Sequence, residues 1–169
     1  MLSGEDVTVQ RFGGGFELSD VHGRLRRLAD FRGKVVLFFF GYTRCPDVCP
    51  TTLLRMAETK RLLGADASRT QVLWMTVDPE RDTGEIVSQY VAAFSPTFLG
   101  LRGTPRQTEA IADAYKIQYD ITYFRDEVFV SHSSFGYLID GRGRVRVRIR
   151  YDATAEQIAH DVRDVLAAD

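Results

Sequence analysis

Only two cysteines occur in this 169-residue chain, and no apolar run reaches the ~18 residues that a membrane-spanning helix requires. The longest candidate, Val35 to Phe40, has the length of a core strand. A small secreted scaffold stapled by disulfides would carry more cysteines, spread along the chain. Cys45 and Cys49 are near neighbours instead, as in a metal or redox pair. Positive charge is not in surplus either: 22 Lys and Arg against 23 Asp and Glu leave a formal net charge of -1. That sets aside a dedicated nucleic-acid binder. The start, Met1-Leu2-Ser3-Gly4-Glu5-Asp6, has no basic segment followed by an apolar one, so it is not a signal peptide. Either the protein is cytosolic or the segment is the soluble part of an anchored one.

No internal repeat, low-complexity tract or Ser/Pro-rich linker interrupts the chain, and its length suits one domain with a full core. Phe16 to Asp20 alternates, His22-Gly23 offers a turn and Leu25 to Leu28 follows, which predicts an N-terminal hairpin. Val35 to Phe40 is a continuous apolar run of the kind buried on both faces of a sheet. From Pro50 the period becomes helical, with Leu53, Met56, Ala57 and Leu63 on one face. Gln71 to Val77 is a second buried strand, and Glu85 to Phe94 the next helix. Thr104-Pro105 opens another helix with an N-cap and a first-turn proline.

Between Ile117 and Val130 aromatic and charged residues mix, as in a protruding hairpin. Phe135 to Ile139 and Val145 to Ile149 are strands joined by Asp140-Gly141-Arg142-Gly143, a strong turn signal. Thr154 with Gln157 forms a capping box for a last helix that buries Ile158, Val162 and Val165. Two βα units, a hairpin and a closing helix give an α/β protein of thioredoxin-like fold, a mixed central sheet with flanking helices. Such sheets gather functional groups at the carboxyl ends of their parallel strands, where Cys45 and Asp78 fall.

Gly41 to Pro50 joins a buried strand to a helix. Cysteines at i and i+4 in a first turn project from one face, and the free N–H groups of a helix start favour thiolate over thiol. Two such thiolates suit Cu(I), Zn(II) or an iron–sulfur cluster. A disulfide exchanger is the other reading, although that chemistry usually uses Cys-x-x-Cys, one residue shorter. A peroxidatic cysteine would follow a threonine by three residues and a proline by seven. Cys45 has Tyr42 and Phe38 there, and Cys49 has Pro46 and Tyr42, so that class is set aside. Of the three histidines, His22 and His160 read as solvated surface residues, and His132 stands at the entrance to a strand.

Phe39 to Thr51, Val77-Asp78-Pro79-Glu80-Arg81-Asp82-Thr83, and His132-Ser133-Ser134-Phe135-Gly136-Tyr137-Leu138-Ile139-Asp140 resemble, in order, three blocks of the Sco/SenC family of copper-binding assembly proteins. The similarity runs from about Phe16 to the last helix. It implies that Cys45, Cys49 and His132 are ligands of a copper ion, Cu(I) or Cu(II), and that the hairpin before His132 is an insertion in the fold. Three donors suit trigonal Cu(I), whereas a structural zinc site normally takes four. The resemblance further implies a metallochaperone at the periplasmic face of the bacterial inner membrane. It would assist assembly of the dinuclear copper site of a haem–copper cytochrome oxidase, whose copper-site subunit is then its partner, with other copper donors or thiol reductants as further partners. Residues 1–15 are then a tail left after removal of a membrane anchor, and 16–169 the domain. The alternative is a thiol–disulfide oxidoreductase, which needs Cys45 and Cys49 as a catalytic redox pair but not His132.

Ser131 stands where family members often carry an aspartate, so any tuning of the imidazole by that neighbour differs here. Asp78 reads as a loop residue satisfying local backbone N–H groups rather than as a ligand, since a hard carboxylate suits Cu(I) poorly. Arg81 and Asp82 read as a local pair. From Arg144 to Arg150 every second residue is arginine, which reads as a solvated face protecting a strand edge.

Overall fold

The computed structural model describes residues 1–10, 13–20, 22–44, 48–117, 119–124, 127–132, 136–150 and 152–168, with backbone alone at 48–50, 119–124 and 127–132. The elements run β1 (Glu5–Asp6), β2 (Glu17–Asp20), β3 (Leu25–Arg27), β4 (Val35–Gly41), α1 (Val48–Leu63), β5 (Thr70–Thr76), α2 (Gly84–Ala92), β6 (Leu99–Arg102), α3 (Pro105–Ala114), β7 (Tyr119–Phe124), β8 (Glu127–His132), β9 (Gly136–Ile139), β10 (Val145–Ile149) and α4 (Ala155–Ala168). One mixed sheet has the order β1-β10-β9-β4-β5-β6-β2-β3, and β7 and β8 form a separate ribbon. β4, β5 and β6 are parallel, and their neighbours β9 and β2 run antiparallel to them. This is the thioredoxin-like plan with helices on both faces.

The central strands show why. Every residue of β4 is buried, and successive side chains point to opposite faces. Val35, Leu37 and Phe39 join Val72 and Trp74 of β5 under Leu53 and Met56 of α1, Val87 of α2 and Val162 of α4. Val36, Phe38 and Phe40 join Leu73 and Met75 under Ala112 of α3, together with Phe16, Leu18 and Tyr115. The expected helix starts hold. Thr104 accepts from the Gln107 N–H at 3.1 Å while Gln107 accepts from the Thr104 N–H at 2.9 Å, and Thr154 and Gln157 repeat the box at the same distances.

The expected N-terminal hairpin is β2–β3, and the hairpin before His132 is β7–β8. β6 has no counterpart in the sequence reading. Leu99-Gly100-Leu101-Arg102 is short and contains glycine, yet it pairs with β5 on one side and β2 on the other. Within residues 1–15, Glu5 and Asp6 lie along β10, and Asp161 of α4 accepts from the Ser3 and Gly4 N–H groups at 2.5 and 2.8 Å.

The arginine strand also differs from a plainly solvated face. Val145, Val147 and Ile149 are buried as expected. Arg144 and Arg146 both reach Asp140 at 3.4 Å, and Arg148 meets Glu5 of β1 at 3.2 Å. Much of the charge is thus met inside the protein, and β1 covers the edge that the arginines were expected to guard. Among the described residues no helix is long and apolar enough to cross a membrane.

Candidate metal centre

β4 ends at Gly41, whose carbonyl accepts from the Val77 N–H at 2.7 Å, so β4 and β5 leave the sheet side by side. Tyr42 turns into the core at 8% exposure, Thr43 is half-buried and Arg44 is exposed. Cys45 lies outside the described residues. α1 begins at Val48, so Cys49 is its second residue and Pro50 its third. A proline there sacrifices no hydrogen bond, because first-turn N–H groups have no helical partner. Those same groups and the helix dipole favour negative charge, which suits a thiolate at the position of Cys49. The side chain of Cys49, and with it the expected stacking of the two thiols, lies outside the described residues.

His132 is the last residue of β8, opposite Tyr119, and its side chain is likewise outside the description. The chain resumes at Gly136, which pairs with Phe39 near the carboxyl end of β4. His22 is exposed. His160 is half exposed and shares its ring nitrogen with the Met1 carbonyl at 2.8 Å and Asp164 at 3.5 Å, as befits a surface residue.

The loop after β5 departs from expectation. Asp78 is 2% exposed, and its carboxylate meets Arg81 Nη1 at 3.5 Å. Its carbonyl, not its side chain, accepts the local N–H groups of Arg81 and Asp82. Burial pushes the Asp78 carboxyl up from its ordinary value; Arg81 opposes the rise, and the Asp82 and Glu80 charges add to it. Asp82 does not turn toward Arg81 but inward, accepting from Thr43 N–H at 3.0 Å, Thr43 Oγ1 and Thr76 Oγ1. Arg102, at the end of β6, donates from Nε to the carbonyls of Pro79 and Asp82 at 3.0 and 2.9 Å, and from Nη2 to Pro79 at 2.6 Å. Sequence reasoning passed over Arg102 because it passed over β6. The signal was an arginine closing an apolar pair just before Gly103-Thr104-Pro105.

A mixed sheet of this order, with a cysteine-bearing strand-to-helix turn after its central strand, defines the thioredoxin-like class. Within that class the SCO1/SenC family model matches residues 5–167, and the chain belongs to that family. ScoI of Bradyrhizobium japonicum, solved with copper bound, is 34% identical, with a TM-score of 0.84 over 92% of this chain and 99% of that one. Apo Sco1 from Thermus thermophilus is also 34% identical, with a TM-score of 0.84 over 99% and 96% of the two chains. The mitochondrial SCO2 homologue of Bos taurus is 39% identical over 160 residues, which are 92% of this chain and 60% of its own length.

Proposed function

We propose that this protein is a copper metallochaperone that holds its cargo through the thiolates of Cys45 and Cys49 and the imidazole of His132. It assists assembly of the dinuclear copper site of a haem–copper cytochrome oxidase, with the copper-site subunit as acceptor. We read this work as taking place at the periplasmic face of the bacterial inner membrane, which the family resemblance supports. The observation that carries the reading is the family match across 5–167, which includes all three motif blocks, with copper bound in a relative of 34% identity.

Chemistry and chain connectivity support it. Soft thiolates and an imidazole suit Cu(I) without a fourth protein donor. His132 lies four positions before Gly136, and Cys45 four after Gly41. An extended chain spans at most ~3.6 Å per residue, so each is within about 14 Å of its anchor. Both anchors stand at the same end of two hydrogen-bonded strands.

The test is anaerobic titration of the reduced protein with Cu(I), alongside its reduction of a model disulfide. His132→Ala should lower Cu(I) affinity by more than about 10-fold, the low end for losing even a contact that supports a ligand. It should leave disulfide reduction largely intact, because exchange depends on thiolate character, access and leaving group. Cys45→Ala or Cys49→Ala should abolish both. Wild-type Cu(I) affinity in His132→Ala with badly impaired reduction would overturn the reading in favour of a thiol–disulfide oxidoreductase.

A further inference from the structure

We propose that Asp82 and Arg102 are positioning residues that hold Thr43, two positions before Cys45, joining the carboxyl ends of all three parallel strands into one unit. The proposal rests on the reading of Cys45 and Cys49 as the working thiols.

Thr43 stands two positions before Cys45 and beyond the last residue of β4. Nothing in the ladder holds it there. Its backbone N–H donates to Asp82 Oδ2 at 3.0 Å, and its hydroxyl donates to Asp82 Oδ1 at 2.5 Å. One residue is thus gripped at backbone and side chain by a single carboxylate from 39 positions away. Thr76, the last residue of β5, adds a third donor at 2.5 Å. Its own oxygen accepts from the Asp78 N–H at 3.0 Å. Asp82 is 1% exposed, so little solvent competes for its oxygens. Two hydrogen bonds to one carboxyl group define the orientation of Thr43 closely, and the third, from Thr76, fixes that carboxyl group in turn.

A carboxylate on a loop is a firm anchor only if the loop is firm. Arg102 supplies that from β6, with Nε shared between the Pro79 and Asp82 carbonyls and Nη2 on Pro79. The Asp82 N–H also donates to the Asp78 carbonyl at 2.9 Å. Asp82 is therefore held by its backbone from one side while its side chain holds Thr43 on the other. The path runs from the end of β6, through the loop after β5, to the segment after β4. Freed from it, Thr43 would have to be ordered at each copper uptake, an entropic cost that a residue already held avoids.

A merely structural role is separated by a control at the opposite end of the sheet. Asp140 is also buried and also gathers backbone N–H groups and guanidinium donors, but it follows Ile139, which pairs with Val36 near the amino end of β4. The experiment compares Asp82→Asn, Thr43→Val, Arg102→Gln, Arg102→Lys and Asp140→Asn in the full chain. It reads Cu(I) affinity by anaerobic competition, hydrogen exchange of the Thr43 amide, the rate of thiol reaction with an aromatic disulfide, and Tm.

Thr43→Val and Arg102→Gln should each weaken Cu(I) binding on the order of 10-fold and change the thiol rate. Arg102→Gln should also speed exchange at the Thr43 amide, with Arg102→Lys in between. Asp140→Asn should lower Tm while leaving affinity, exchange and thiol rate at wild-type values. If Asp82→Asn does not fold, Thr43→Val and Arg102→Gln decide. Lower Tm in those two with thiol rate and affinity unchanged, and with Thr43 exchange unchanged in Arg102→Gln, would overturn the proposal. If the wild type takes up no Cu(I), the copper reading fails, and the exchange and thiol arms still decide whether Thr43 is held this way.

Discussion

Gly136 is a glycine for reasons of space rather than backbone angle, since its φ is not positive. A Cβ built on it would lie 2.0 Å from Phe39 Cε1 and 2.4 Å from Cδ1. Phe39 is its cross-strand partner and is 5% exposed, with its ring over a position that has no side chain. Gly136→Ala forces that ring from its place in a packed core, a change that costs about 1–3 kcal/mol. Urea unfolding should show a loss of this size. Phe39→Leu in the same background should recover part of it, because a smaller side chain vacates the contested volume. Strict additivity of the two substitutions in a double-mutant cycle would show that the close approach is not the reason for the glycine. The family block pointed to Gly136 in the sequence, but the ring it makes room for became visible only with the register of β4 and β9.

The turn between β9 and β10 shows what a local pattern does and does not reveal. Asp140-Gly141-Arg142-Gly143 reads as a hairpin turn because glycine takes left-handed angles cheaply, and Gly143 has a φ of 87°. The fate of the arginines was not legible, since Glu5 meets Arg148 from 143 positions away. β1 and β6 were missed for a related reason: two-residue and four-residue strands carry too little periodicity, and only their neighbours make them strands. Asp82 escaped in the same way, because its partner Thr43 is a tertiary neighbour rather than a local one.

Burial of Asp140 works against its charge. The Arg144 and Arg142 N–H groups and the Arg146 and Arg144 guanidiniums outweigh it and hold the carboxyl below its ordinary 3.8. A depressed folded value means that this stability is fully present above the ordinary value and is lost as pH falls through the folded one. Asp140→Asn should therefore be less stable than wild type at pH 7 by about 1–3 kcal/mol, the cost of weakened charged hydrogen bonds in a buried place. The gap should close in acid below pH 3.8. Urea titrations at several pH values check this, and a gap that stays constant through the acid range would show that charge is not what Asp140 contributes.

At the scale of the whole molecule, two apolar layers fix the sheet between α1, α2 and α4 on one side and α3 on the other. The proposed ligands lie outside that sheet in sequence, Cys45 four positions after β4 and His132 four before β9. Such a division lets a ligand act on the fold as a whole, since copper that binds only the native state stabilises all of it. At a free concentration 100 times Kd the gain is about 2.7 kcal/mol, which in a domain of this size raises Tm by roughly 5–10 °C. The reduced protein should show that rise with Cu(I) under anaerobic conditions. Oxidation of Cys45 and Cys49 to a disulfide consumes both thiolates at once, and the imidazole of His132 alone is a poor competitor for a soft ion. The quantitatively oxidised protein should therefore melt at one temperature with or without Cu(I). If instead the copper-dependent rise persists after complete oxidation, the thiolates are not the ligands, and the metal is held elsewhere on the chain.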